Sequence, residues 1–358
     1  VRPRHVLGEA RRDLVSGASR AGPWGLLLLV LTVLLCAADA SAVLTLESRA
    51  RTFVDTGGAT HVLSSPGGVS GSACDALSGV GTVVASGALR TSSDRLALAA
   101  TPRSPVTVSE VTPGFARLLD VTPRGEAATG LLLSEALADQ VLAASAPQVA
   151  TESGAATAVR GTYAWPRDGR LQALAYAALA PAPAAGTFDE CWLTVWPPAE
   201  AATDLVTLAL LPGAGASDVA VTQLNTSPGG AFDGETLFQQ RETRWVTVIG
   251  AGAGALLGLV AVRVRRLELA SARHCGVGRA GLVGQVGVET LAWSAVAAGT
   301  AWGLTILVVA GAGTEDLAAI LLVTARPALA ATVGCVLAAA LATARIRERD
   351  VLRYFKDR

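Results

Sequence analysis

The chain has 358 residues, 51% apolar, 4% aromatic and 16% charged, with a formal net charge of zero. Together with a positive mean hydropathy, this balance is unusual for a soluble domain, gives no basic excess for a nucleic-acid partner, and suits a membrane protein with an attached polar domain. Arg outnumbers Lys 28 to 1, a bias expected of a high-GC bacterium, and the sole lysine, Lys356, excludes a Walker A loop, whose lysine must follow its glycines to reach the phosphates.

Residues 1–23 form an Arg-rich segment. Residues 24–44 (WGLLLLVLTVLLCAADASAVL) follow as the first expected span, long enough at 1.5 Å per residue to cross a hydrocarbon core of about 30 Å. Residues 245–262, 288–310 and 327–344 are the second, third and fourth. The fourth is set to begin at Pro327, which leaves Arg326 in a short external loop, 311–326, where it can snorkel to the interface.

Residues 1–23, the loop 263–287 and the tail 345–358 together hold 16 of the 29 basic residues, whereas 44–244 holds 12 basic and 19 acidic ones. By the positive-inside rule the three basic segments, and with them both termini, are cytoplasmic, and a domain at 45–244 lies outside the plasma membrane. The expected fold is therefore an α-helical membrane protein with four transmembrane helices and a large α+β extracytoplasmic domain inserted between the first two.

Within that domain, helical patterns at 40–55 and 232–244 read as a stalk. Turn-bounded β patterns lie at 81–89, 105–111, 156–162 and 171–177. Residues 131–144 read as a strand end entering a helix, with Ser134 as its N-cap and Leu137, Val141 and Leu142 on one face. The Pro/Ala-rich 179–186 reads as a loop. Strand 191–196, helix 199–211 and strand 218–224 follow it as one unit.

Chemistry is sparse there. His61 is the only external histidine, Ser72 and Ser134 lack a GxSxG setting, and the adjacent Asp189 and Glu190 read as a solvated loop. No catalytic or metal site is expected. Cys74 and Cys191 are the two extracytoplasmic cysteines, so a disulfide between them is expected on the oxidising side, while Cys36, Cys275 and Cys335 read as packing residues. Gly250, Gly254 and Gly258 share one face of the second span, a spacing that lets helices approach closely, within the chain or at a subunit interface.

The segment after the second span, RRLELASARHCGVGRAGLVGQVGVETL, carries Glu268, then Arg273 five residues on, Gly276 three beyond and Glu289 thirteen after that. In this topological slot the pattern resembles the MacB/FtsX-like permease family of ABC transporters. The tail, with Leu352, Arg353 and Tyr354, resembles the family's terminal segment, and SEVTPGFARLLDV, with Pro113, Gly114 and Phe115, resembles its periplasmic core domain. His274 and Cys275, and the single Arg279 after the glycine, depart from the pattern.

The resemblance implies a permease subunit without an ATPase site of its own. Arg266, Glu268, Arg273, Gly276, Arg279 and Glu289 would form the segment coupling it to a separate ABC ATPase, which binds ATP and Mg. The same residues admit a physical reading: Leu267, Leu269 and Val277 as apolar contacts in a partner's groove, Glu268 and Arg273 as oriented charges, and Glu289 near a helix N-terminus, where negative charge is favourable. The family implies a second permease subunit, membrane lipid around the spans, and export or extraction of an amphiphilic cargo by mechanotransmission. Its other branch implies signal relay to an extracytoplasmic cell-wall hydrolase.

Overall fold

The structure, a computed structural model, describes residues 3–98, 101–123, 130–142, 148–150, 156–199, 201–213, 219–314 and 316–347. In chain order the elements are α1 (Pro3–Ser16), α2 (Ala21–Asp55), β1 (Thr60–Ser70), α3 (Gly71–Ala76), β2 (Val83–Leu98), β3 (Thr101–Val111) and β4 (Val121–Pro123). Next come β5 (Leu131–Ser134), α4 (Glu135–Leu142), β6 (Gln148–Ala150), β7 (Ala156–Tyr163), β8 (Ala178–Pro181), β9 (Thr187–Val195), α5 (Ala202–Thr207) and β10 (Ala220–Gln223). Then follow α6 (Gly234–Gln240), α7 (Val246–Val264), α8 (Arg266–His274), α9 (Arg279–Gly311) and α10 (Leu317–Ala344). They fall into two units: a helical one (Val1–Ser48 with Gly234–Arg358) and a sheet one (Arg49–Asp233).

Four helices, Ala21–Asp55, Glu242–Val264, Arg279–Gly311 and Leu317–Ala344, are long and apolar enough to cross a membrane. Their outward side chains, among them Leu26, Leu34, Leu256, Val296, Leu307 and Leu322, are apolar and exposed, a surface suited to lipid rather than water. Inward positions are small: Ala297, Ala301, Ala331, Cys335 and Ala339 are buried. The buried hydroxyls of Thr32, Thr305, Thr324 and Thr343 donate to the carbonyl one turn back, which satisfies them inside their own helices.

The glycine stripe on α7 packs against α10. A Cβ would sit 2.8 Å from the Pro327 carbonyl oxygen at Gly250, 2.0 Å from that of Ala331 at Gly254, and 2.1 Å from that of Cys335 at Gly258. Gly334 on α10 repays the approach, since a Cβ there would meet the Ala251 carbonyl oxygen at 2.2 Å. The stripe is thus spent on packing within the chain, backbone against backbone.

Helix limits differ from the expected spans. α9 starts at Arg279 rather than 288, because Gly278 is extended and the helical spacing of the buried Leu282 and Val286 begins directly after it. α10 starts at Leu317 and runs through Pro327, which is buried inside it, so residues 317–326 are helical and Arg326 lies on the helix, exposed. The helix expected at 232–244 is broken at Arg241, whose backbone is extended (ψ 141°) between α6 and a 3-10 turn, Glu242–Trp245.

The sheet runs in the order β10-β1-β9-β2-β3-β8-β5-β7-β4, with β6 paired to β7. It is mixed: β3 with β8 and β5 with β7 are parallel, and the other pairs antiparallel. Alternation along the strands feeds its two faces. Leu63, Cys191 and Leu193 enter one core with Val69, Phe188 and Val206, while Val62 and Trp192 enter another with Phe115, Tyr163 and Leu179. A third core, including Leu96, Val106, Leu133 and Leu137, lies under α4.

Cys74 of α3 and Cys191 of β9 are disulfide-bonded within the first core, with their Cα atoms 5.9 Å apart. The Pro113–Gly114 turn is pinned by Asp75, whose carboxylate accepts from Thr112 Oγ1 and, at 3.1 Å, from the Gly114 N–H. Gly114 has no room for a Cβ, which would fall 2.3 Å from the Ser86 carbonyl oxygen.

Several local expectations are corrected. Residues 171–177 hold a 3-10 turn, Gln172–Leu174, and the strand comes at Ala178–Pro181, where a loop was expected. The helix at 199–211 shrinks to Ala202–Thr207. Asp189 and Glu190 lie on β9, not in a loop: Asp189 accepts from the N–H groups of Gly67 and Thr91, and Glu190 from Trp192 Nε1. Ser134 Oγ accepts from the Ala177 N–H at 3.3 Å. The side chain of Leu142, the start of the strand expected at 218 and the tail residues Leu352, Arg353, Tyr354 and Lys356 lie outside the described residues.

Candidate functional site

The chain turns between α7 and α8 at Arg265, which ends one helix and caps the other (φ −97°, ψ 9°). α8 is held down by its apolar face: Leu269 and Ala270 are buried with Val262, Leu282, Val286, Ala339 and Ile346. Leu269 therefore belongs to the chain's own core and is not free to enter a partner's groove, whereas Val277 is 40% exposed.

That packing places Arg265 among three carboxylates. Its Nη1 donates to Glu289 of α9 at 2.5 Å, and its Nη2 donates to Asp13 of α1 at 3.0 Å and to Glu268 of α8 at 3.1 Å. Gln285 closes the ring, donating from Nε2 to Asp13 at 2.9 Å and to Glu289 at 3.2 Å. The Glu289 side chain is 2% exposed, Arg265 8%, Asp13 20% and Glu268 52%. Burial opposes the charge on Arg265, but the hydrogen bonds it donates to Glu268 and Glu289 outweigh it and move its pKa upward. One guanidinium thus fastens α1 and α9 to the α7–α8 corner.

Of the residues expected to couple, Glu268 and Glu289 meet through Arg265. Glu289 lies well inside α9, not near its N-terminus, so the ion pair rather than the helix dipole accounts for it. Arg266 is half-buried in the first turn of α8, and Arg279 is exposed at the first residue of α9. The Arg273 Nε and Nη1 are buried with no hydrogen-bond acceptor among the described residues.

Gly276 ends α8. Its φ of +93° suits glycine, its N–H donates to the Arg273 carbonyl at 3.0 Å, and the Val277 N–H donates to that of Ala272 at 3.2 Å. This is a Schellman motif, and it gives the glycine a local structural reason.

Arg265, Asp13 and Gln285 are the members that sequence reasoning missed. A signal existed: a Glu inside an apolar helix requires a cation, and Arg265 stands at the nearest helix end. A second such pair lies in the same unit. Asp39, 2% exposed within the apolar run of α2, accepts from Arg241 Nε at 3.2 Å, which ties α2 to the break ahead of α7.

No protein-family profile and no curated protein matches the chain. Among solved structures, it is similar to the periplasmic region of MacB from Actinobacillus actinomycetemcomitans, with 11% identity and a TM-score of 0.35 over 47% of this chain and 89% of that one. It is also similar to the extracellular domain of the noncanonic ABC-type transporter YknZ from Gram-positive bacteria, with 12% identity and a TM-score of 0.29 over 41% of this chain and 88% of that one.

Proposed function

We propose that this chain is the membrane subunit of an ATP-binding cassette transporter of the MacB/FtsX-like kind, and that it turns the motion of a separate ATPase into work on an amphiphilic cargo. The observation that carries the reading is the Arg265 cluster. A loop that merely joined two spans would need no buried ion pairs, whereas a segment that receives force must be rigidly joined to what it moves. Here α8 is fixed to α9 through Glu289 and to α1 through Asp13.

In this reading ATP and Mg are bound by the partner, whose closure displaces α8. The displacement passes through Arg265 into α9, and α7 carries α10 with it through their glycine contact. The sheet unit is extracytoplasmic and engages cargo, and two permease subunits make up the working assembly. Coupling requires that the partner engage one conformational state better than the other.

The test is purification of the tagged full chain from its native membrane, followed by assay of the complex for ATP hydrolysis. A stoichiometric nucleotide-binding subunit is expected, with hydrolysis stimulated by candidate amphiphiles. Glu268→Lys should retain that subunit and lose the stimulation. A chain that purifies without any ATPase refutes the proposal, and stimulation by a cell-wall hydrolase instead of amphiphiles favours signal relay.

A further inference from the structure

We infer that the arginine-lined recess between the α1–α2 turn and the α7–α8 corner binds the phosphate of an anionic phospholipid headgroup. The recess has a volume of about 760 Å³ and is walled by Arg20, Arg263 and Arg266, with Val260, Val264 and Leu267 among them. Arg20 and Arg263 are exposed, and their side chains make no ion pair or hydrogen bond among the described residues. The acidic wall residue, Glu268, is engaged by Arg265. Arg20 and Arg263 thus share the recess with no counter-ion of their own among the described residues, and a phosphate relieves their repulsion with charge-assisted hydrogen bonds.

Position selects a lipid over an acidic protein loop. Arg20 immediately precedes α2, and Arg263 lies in the last turn of α7, so both stand where apolar helices end. Leu256, Val260 and Val264 follow one another at helical spacing on α7, with Leu256 and Val264 exposed, and form an apolar track leading to the recess. A diacyl lipid uses both the track and the arginines, whereas a peptide carboxylate uses only the second. Basic pockets between helices on the cytoplasmic side are a recurrent solution for anionic headgroups.

The inference rests on the membrane reading above but not on the ATPase, so the two fail separately. The experiment is native mass spectrometry of the detergent-solubilised full chain titrated with phosphatidylglycerol, phosphatidylcholine or inorganic phosphate. Phosphatidylglycerol should be retained roughly tenfold or more tightly than phosphatidylcholine. Arg20→Gln with Arg263→Gln should abolish the preference, and Arg11→Gln with Arg347→Gln, an equal change of charge outside the recess, should keep it. Equal retention of the two lipids, or an unchanged preference in the first variant, overturns the proposal. Displacement of the lipid by inorganic phosphate would reassign the site to the free ion, and a first variant that keeps the lipid preference but loses the ATPase would reassign it to a protein carboxylate. A chain that stays soluble without detergent would instead remove the membrane reading itself.

Discussion

Replacing Arg265 by Leu removes the cation that faces Glu289, and the carboxylates left behind are not equivalent. Glu268 and Asp13, 52% and 20% exposed, can turn to water, but Glu289, at 2%, cannot. Breaking a buried pair from one side costs about 3–5 kcal/mol. The electrostatic part has a ceiling, because Glu289 can take up a proton, which from an ordinary Glu pKa near 4.3 costs about 3.7 kcal/mol at pH 7. Glu289→Gln keeps the shape and leaves Arg265 with Glu268 and Asp13, so its cost is nearer 1–2 kcal/mol. The double variant, Arg265→Leu with Glu289→Leu, leaves neither charge and should lie within about 1 kcal/mol of the parent. Hydrogen–deuterium exchange of α8 and the first turns of α9 measures the local opening, with β9 as an internal reference that should not change. An Arg265→Leu variant that exchanges no faster than Glu289→Gln, or a double variant as labile as Arg265→Leu, refutes the assignment of a buried ionic cluster.

The α7–α10 contact predicts that Gly254→Val, whose Cβ meets the Ala331 backbone, costs at least about 1–3 kcal/mol in a thermal or denaturant melt, while Gly252→Val, which has open space, is near neutral. Equal effects at the two glycines would contradict the packing. Gly276→Ala should destabilise the end of α8 by about 1–2 kcal/mol through its left-handed backbone and speed exchange of the Val277 amide, with Gly278→Ala as the unstrained comparison. Replacing Cys74 and Cys191 by Ser opens a loop of sequence separation 117 and should lower the stability of the sheet unit by about 2–5 kcal/mol, as should reduction of the parent. A melt indifferent to both would show that the bond does not form.

Long-range apolar features were legible in the sequence, because membrane thickness imposes a length and helix contact imposes a spacing of four. So were the helix that continues from the first span to Asp55 and the strand patterns at 81–89, 105–111 and 156–162. β1 was not, because Pro66, Gly67 and Gly68 interrupt it and read as a turn. It survives because the register slips between Ser64 and Val69, a bulge that takes up those residues against β9. Leu179 to Pro181 was hidden by its Pro/Ala composition, although a parallel partner, β3, holds it in the sheet. At the site, Glu268 and Glu289 stood out through spacing, but Arg265 was one of many arginines assigned to topology. Asp13 is 252 residues from it, and no local pattern carries that distance.

That separation has a consequence for biosynthesis. Ribosomes add about 5–20 residues per second, so Asp13 is made roughly 10–50 s before the arginine that neutralises it. During that interval the whole of the sheet unit is synthesised, and Asp13 waits without the Arg265 guanidinium. The cluster closes only once α9 has delivered Glu289, so its completion reports that the second and third long apolar helices have both been made and correctly placed.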